Sequence, residues 1–257
     1  MKYKAIIGLF LILILLVRSD TLKITPARTV ASAHLFSLAG WEISNFHHKW
    51  MHLLWGKLSG ERLSREERLE LLDEYLVLAR RVQKEQDRLE GPNLSIVGST
   101  QNSIRSITEH LDELIKEKES RRAIAEETIE AELSKVLIEQ GLGSRFGILI
   151  PPVDIRFDEP PKIFVVSPRD RIDLTDAVLL RPDITLLERD RLESTMLAEH
   201  NLSALVDNLA GLATYPAIVS DKSTLRSVAQ TVAHEWAHSY FFFRPLGRNL
   251  RNSEEMF

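Results

Sequence analysis

The chain has 257 residues, 44% of them apolar and 27% charged, and a formal net charge of -4. That length suits one medium domain or two small ones with a packed core, and no basic block stands apart from matching acids, so a nucleic-acid footprint is not expected. There is no cysteine, which excludes disulfides, thiolate metal sites and cysteine nucleophiles and leaves histidine and carboxylate as the only metal ligands.

The first element is an unbroken apolar run from Ala5 to Val17, preceded by Lys2 and Lys4. Thirteen residues match the apolar region of a secretory signal, yet Arg18, Ser19 and Asp20 follow where small residues would mark cleavage. The expectation is a retained signal anchor over residues 1–22. Its lipid contact is through residues 5–17, with Lys2 and Lys4 snorkelling to extend the span. The protein is then a single-pass membrane protein, and the bulk of the chain is expected outside the cytoplasm.

Residues 34–140 read as a helical region. The stretch from His34 to Trp55 is rich in aromatics and histidine, and fits either an interfacial amphipathic helix or a first packed helix. His48 and His52 are four apart there, with no carboxylate between them. From Ser64 to Glu90, Leu69, Leu72, Leu76, Ala79 and Val82 recur at helical spacing, and Gly91-Pro92-Asn93 ends the pattern. A second helical pattern runs from about Ser103 to Glu139. Its stripe of Ile104, Ile107, Leu111 and Leu114 breaks at the solvated "KEKESRR" and resumes at Ile129, Leu133, Val136 and Leu137. Two long helices with a tight break predict an antiparallel hairpin.

After Gly141 the texture changes. "GILI", "VDIRF", "KIFVVSP" and "AVLL" read as short strands between prolines and charged turns. A helix is expected from about Ile184 to Asn201. "LATYPAIVS" then reads as an extended segment with Pro216 on an edge strand. A last helix, from about Thr224 to Phe243, is capped by Asp221 or Ser223 and stopped by Pro245 and Gly247. The order predicts an α+β fold, with a domain from 142 to 257.

That last helix carries "VAHEWAHSY". Positions four apart share a helix face, so His234 and His238 can present two imidazole nitrogens to one ion. Glu235 lies beside that face, placed to reach a metal-bound water rather than the metal. Zinc lowers the pKa of such a water to about 7, and the carboxylate can take its proton. This is the mechanical content of H-E-x-x-H. Trp236 and Ala237 inside the motif, and Ser239 and Tyr240 after it, are uncharged. The extended segment upstream would suit a peptide substrate lying against it by strand addition.

"TVAHEWAHSY" resembles the active-site helix of zincin metallopeptidases. More narrowly, "HEWAHSYFFFRPLG" resembles single-span prokaryotic membrane proteins of gluzincin type. The likeness covers about residues 213–247 and, before them, only the arrangement of elements. It implies Zn2+ held by His234 and His238, with Glu235 as general base and a peptide or protein as substrate. It also implies a third ligand, a glutamate on a later helix. Here the sequence departs from the pattern. After Gly247 comes only "RNLRNSEEMF", with Glu254 and Glu255 its only carboxylates. The expectation is a C-terminally incomplete peptidase domain that binds zinc weakly and does not hydrolyse peptides. Two other functions fit the same residues. One is a non-catalytic membrane scaffold or interaction protein with a degenerate metal helix. The other is a metal sensor or store using His47, His48 or His52.

Overall fold

The computed structural model describes residues 24–41, 63–90, 101–144, 146–242 and 244. The anchor run 1–22, the histidines at 47, 48 and 52, the Gly91 break, Pro245, Gly247, Glu254 and Glu255 lie outside these residues. Among the described residues no helix is long and apolar enough to cross a membrane.

The chain is α+β and contains the expected helical hairpin. In chain order its helices and first strands are α1 (Pro26–Val30), a 3-10 turn (Ser32–His34), α2 (Arg65–Glu90), α3 (Gln101–Glu139), β1 (Ile155–Phe157), β2 (Lys162–Pro168) and β3 (Asp176–Leu180). They continue with α4 (Leu186–His200), β4 (Leu202–Asn208), β5 (Gly211–Leu212), β6 (Ala217–Val219) and α5 (Leu225–Phe242). Two compact units share them: one takes in the described residues 24–41 and 160–209, the other the described residues from 63 to 159 and from 210 to 244. The expected boundary at 142 falls inside the second unit. Residues 160–209, lying in sequence between β1 and β5, build a separate sheet and, with Ala27 and Ala31, a separate core.

The first unit is a three-stranded antiparallel sheet, ordered β3-β2-β4. Along β2, buried residues alternate with half-buried ones from Lys162 to Val166, as a pleated strand with one covered face requires. Phe164, Val166, Val178, Leu180 and Val206 meet Ala27 and Ala31 near α1 and Leu192 and Met196 of α4. α4 begins with a capping box. The Thr185 hydroxyl accepts from the Glu188 N–H, and the Glu188 carboxylate accepts from the Thr185 N–H. It ends at Asn201, whose φ of 55° is the left-handed cap conformation asparagine tolerates. Strand β4 was not expected from sequence. Only Val206 of its seven residues is buried, so its apolar alternation is weak.

The second unit holds the hairpin. Arg65 pairs with Glu132 and Arg121 with Glu74, so the helices run antiparallel. Leu72, Leu76, Ala79 and Val82 are buried as expected, with Tyr75 and Leu78 added. α3 runs unbroken through "KEKESRR", where Arg121 pairs with Glu117 and Arg122 with Glu119. Val136 of the expected stripe is 48% exposed, while Ala125 and Thr128, absent from that stripe, are buried. Small residues at such positions let α3 approach its neighbours closely.

The second sheet is ordered β1-β6-β5, with β1 parallel and β5 antiparallel to β6. Three expectations are corrected here. "GILI" forms no strand: Ser144 N–H donates to the Ile148 carbonyl and Gly147 N–H to the Ser144 carbonyl, which closes a loop. "LATYPAIVS" is not a single edge segment. It divides between β5 and β6, β6 is the central strand, and Pro216 lies just before it, where no ladder N–H is needed. Neither Asp221 nor Ser223 caps α5: Thr224 does, its hydroxyl accepting from Ser227 N–H at 3.3 Å.

Asp221 is occupied elsewhere. It is 5% exposed, and its Oδ2 accepts from the Tyr75 hydroxyl at 2.6 Å and from Lys118 Nζ at 3.1 Å. Tyr75 is fully buried and stacks on Phe157 with ring centres 5.2 Å apart. Burial, reinforced by the Asp221 charge, pushes the Tyr75 phenol far above its usual range. The free edge of the sheet is closed from α3. The N–H groups of Ile155 and Phe157 donate to Glu130 Oε1 at 2.7 Å and Glu126 Oε1 at 2.8 Å. These carboxylates, four apart on the helix, take the place of a neighbouring strand.

Candidate metal centre

Helix α5 packs by Val228, Val232 and Trp236, a four-residue spacing that faces one side of the helix to the core. The Trp236 indole N–H donates to the Pro151 carbonyl at 2.9 Å, and its ring stacks on Tyr240 at 4.8 Å. These contacts fix the rotation of the helix about its axis. They leave His234 and His238 exposed on the flank and turn Glu235 inward, where it is only 8% exposed.

The two imidazoles meet edge to face, with ring centres 4.6 Å apart and planes at 87°. Their Nε2 atoms are 3.0 Å apart. Two nitrogens bound to one zinc at about 2.0–2.1 Å each lie no more than about 4.2 Å from one another, and the pair is within that limit, at a separation that is also that of a hydrogen bond between the rings. Burial, helped by the neighbouring His234, moves the His238 pKa down, which favours the neutral ring with a lone pair to give. No group of three histidine, aspartate or glutamate side chains suited to a metal occurs among the described residues.

No family model, curated protein or solved structure matches the chain.

The Glu235 side chain lies against strand β5 at Gly211, where a Cβ would stand 2.8 Å from Oε1 and 2.9 Å from Cγ. The Thr231 methyl closes the same space, 2.8 Å from that Cβ position. Burial raises the Glu235 pKa, and the charge of His234 offsets part of the rise. Among the described residues no donor hydrogen-bonds to this carboxylate. Gly211 was not singled out in sequence, although a lone glycine beside apolar residues signals close backbone approach. The Tyr75–Asp221–Lys118 cluster left no sequence signal, since its members are 146 and 103 positions apart.

Beneath α5, on the side away from the histidines, Pro152, Asp154, Thr214, Tyr215, Trp236 and Ser239 line a cavity of about 10 Å³. That is room for about one water.

Proposed function

We propose that the protein is a zinc-dependent hydrolase of peptide bonds, tethered to a membrane through residues 5–17. His234 and His238 hold the metal, and Glu235 is the general base. The observation that carries this reading is the 3.0 Å approach of two Nε2 atoms on the helix that also buries Glu235. Bound zinc supplies Lewis acidity, polarising a carbonyl and acidifying a water. Glu235 accepts a proton at its carboxylate, and its raised pKa makes it a stronger base than a solvated glutamate. β5 holds that carboxylate in place through the gap at Gly211.

The test is zinc affinity by direct titration for the whole chain and for His234→Ala, His238→Ala and Glu235→Gln. Each histidine variant should bind zinc more weakly than the parent chain, and Glu235→Gln should bind it as the parent does. Equal affinity in all four proteins sinks the metal assignment. In a version of the protein extended through a helix that carries the third ligand, Glu235→Gln should lower the rate of peptide hydrolysis by about 10²–10⁴-fold, and an unchanged rate sinks the base assignment.

A second reading, a non-catalytic membrane scaffold with a degenerate metal helix, draws support from the exposed histidine pair and from the two-ligand set among the described residues. Zinc retention without hydrolysis of any peptide pool favours it.

A further inference from the structure

The loop between α3 and β1 exposes a concentrated set of apolar side chains. Phe146 is 88% exposed, Ile148 58% and Ile150 66%, while Leu149 between the isoleucines is 6% exposed and sits in the core. The loop is built rather than slack. Ser144 N–H donates to the Ile148 carbonyl at 2.8 Å, Gly147 N–H to the Ser144 carbonyl at 2.9 Å, and Ile148 N–H to the Ser144 hydroxyl at 3.2 Å. Gly147 adopts a φ of +68°, which allows the tight turn just past Phe146. Trp236 ties the descending arm down at Pro151. Leu149 and Trp236 thus anchor the loop from below, and Phe146, Ile148 and Ile150 project from it.

We infer that this loop tip is a lipid-contacting element that inserts into the interface of an anionic bilayer. Two observations select lipid over protein. Three projecting side chains fall far short of the roughly 20–30 residues a side of a stable protein interface. The segment 141–153 also carries a single charged residue, Arg145, next to Phe146 in sequence, and the combination of aromatic, aliphatic and cationic residues matches an anionic headgroup layer over acyl chains. The inference rests on the membrane tether proposed above.

The cysteine-free sequence makes a direct test simple. Phe146→Cys in the whole chain takes one environment-sensitive fluorophore at the tip, and Glu109→Cys takes the same probe on exposed α3 as a control. The positions are 37 residues apart along the chain, and the α3 stretch from Glu109 to Glu139 alone spans about 45 Å. Both proteins are mixed with vesicles of phosphatidylcholine and phosphatidylglycerol and floated. The tip probe should move to shorter wavelength and be quenched by lipid with a spin label on its acyl chain, and the control probe should do neither. A chain that floats with its tip probe still in water overturns the loop assignment and leaves the tether standing. A chain that does not float overturns both. A tip shift that needs no lipid and grows with protein concentration also overturns the inference, in favour of a second copy of the chain.

Discussion

Replacing Gly211 by alanine should disturb the candidate base without touching either histidine. The new methyl would stand 2.8 Å from Glu235 Oε1, 2.8 Å from Thr231 Cγ2 and 2.9 Å from Glu235 Cγ. Gly211 does not use the left-handed region, since Gly141 and Gly147 are the positive-φ glycines among the described residues. Alanine is therefore conformationally acceptable, and on that ground alone would stabilise by about 0.4–1 kcal/mol through the unfolded chain. Overpacking a filled site costs about 1–3 kcal/mol, so steric crowding wins and the net loss is about 1–2 kcal/mol. The assay is hydrogen exchange of α5 amides, where about 1.4 kcal/mol is a tenfold faster opening. In a Glu235→Ala, Thr231→Ser background all three contacts are gone, and Gly211→Ala should change sign to mild stabilisation. Neighbours in contact couple by about 0.5–3 kcal/mol. Strictly additive effects, with coupling below about 0.5 kcal/mol, would refute the claim that Gly211 exists to seat Glu235.

Tyr75→Phe removes a 2.6 Å hydrogen bond to a buried carboxylate and should cost about 1.5–3 kcal/mol by urea unfolding. In the native protein the Tyr75 phenol should stay protonated in an alkaline absorbance titration. Its folded pKa lies above the unfolded value of about 10, so above that pH the unfolded state holds fewer protons and stability falls as pH rises. Thr185→Ala should cost about 1 kcal/mol through the lost cap of α4. In the parent chain the Glu188 pKa is held down mainly by the Thr185 N–H, so its contribution is present above about pH 4.3 and lost as pH falls through the depressed value. Carboxylate chemical shifts should show that pKa low. Glu254→Ala and Glu255→Ala should leave zinc retention unchanged, and a loss in either would identify a ligand at that position.

The long helices were legible because their stripes repeat over many turns. Leu72, Leu76, Ala79 and Val82 are buried as their spacing demands. The short strands were harder. "GILI" has the composition of a strand, but among the described residues no neighbouring strand offers it a ladder, and hydrogen bonds within the loop take its place. β4 has a ladder but little apolar alternation to announce it. Asp221 had the residue type and position of a helix cap, yet Tyr75 and Lys118, distant in sequence, claim its carboxylate. Local chemistry offers such a residue several partners, and long-range packing selects among them.

The sequence by itself determined the α+β class, the hairpin, and the presence of His234, Glu235 and His238 on one helix, because each depends on spacing within a single segment. Four-residue spacing sets the histidines together wherever the helix lies. Only the tertiary structure decided which way that helix is turned. Val228, Val232 and Trp236 bury one face, so the two imidazoles open to solvent while Glu235 enters the gap at Gly211. That outcome depends on a strand 24 residues upstream whose missing side chain makes the space, and no periodicity within the helix encodes it.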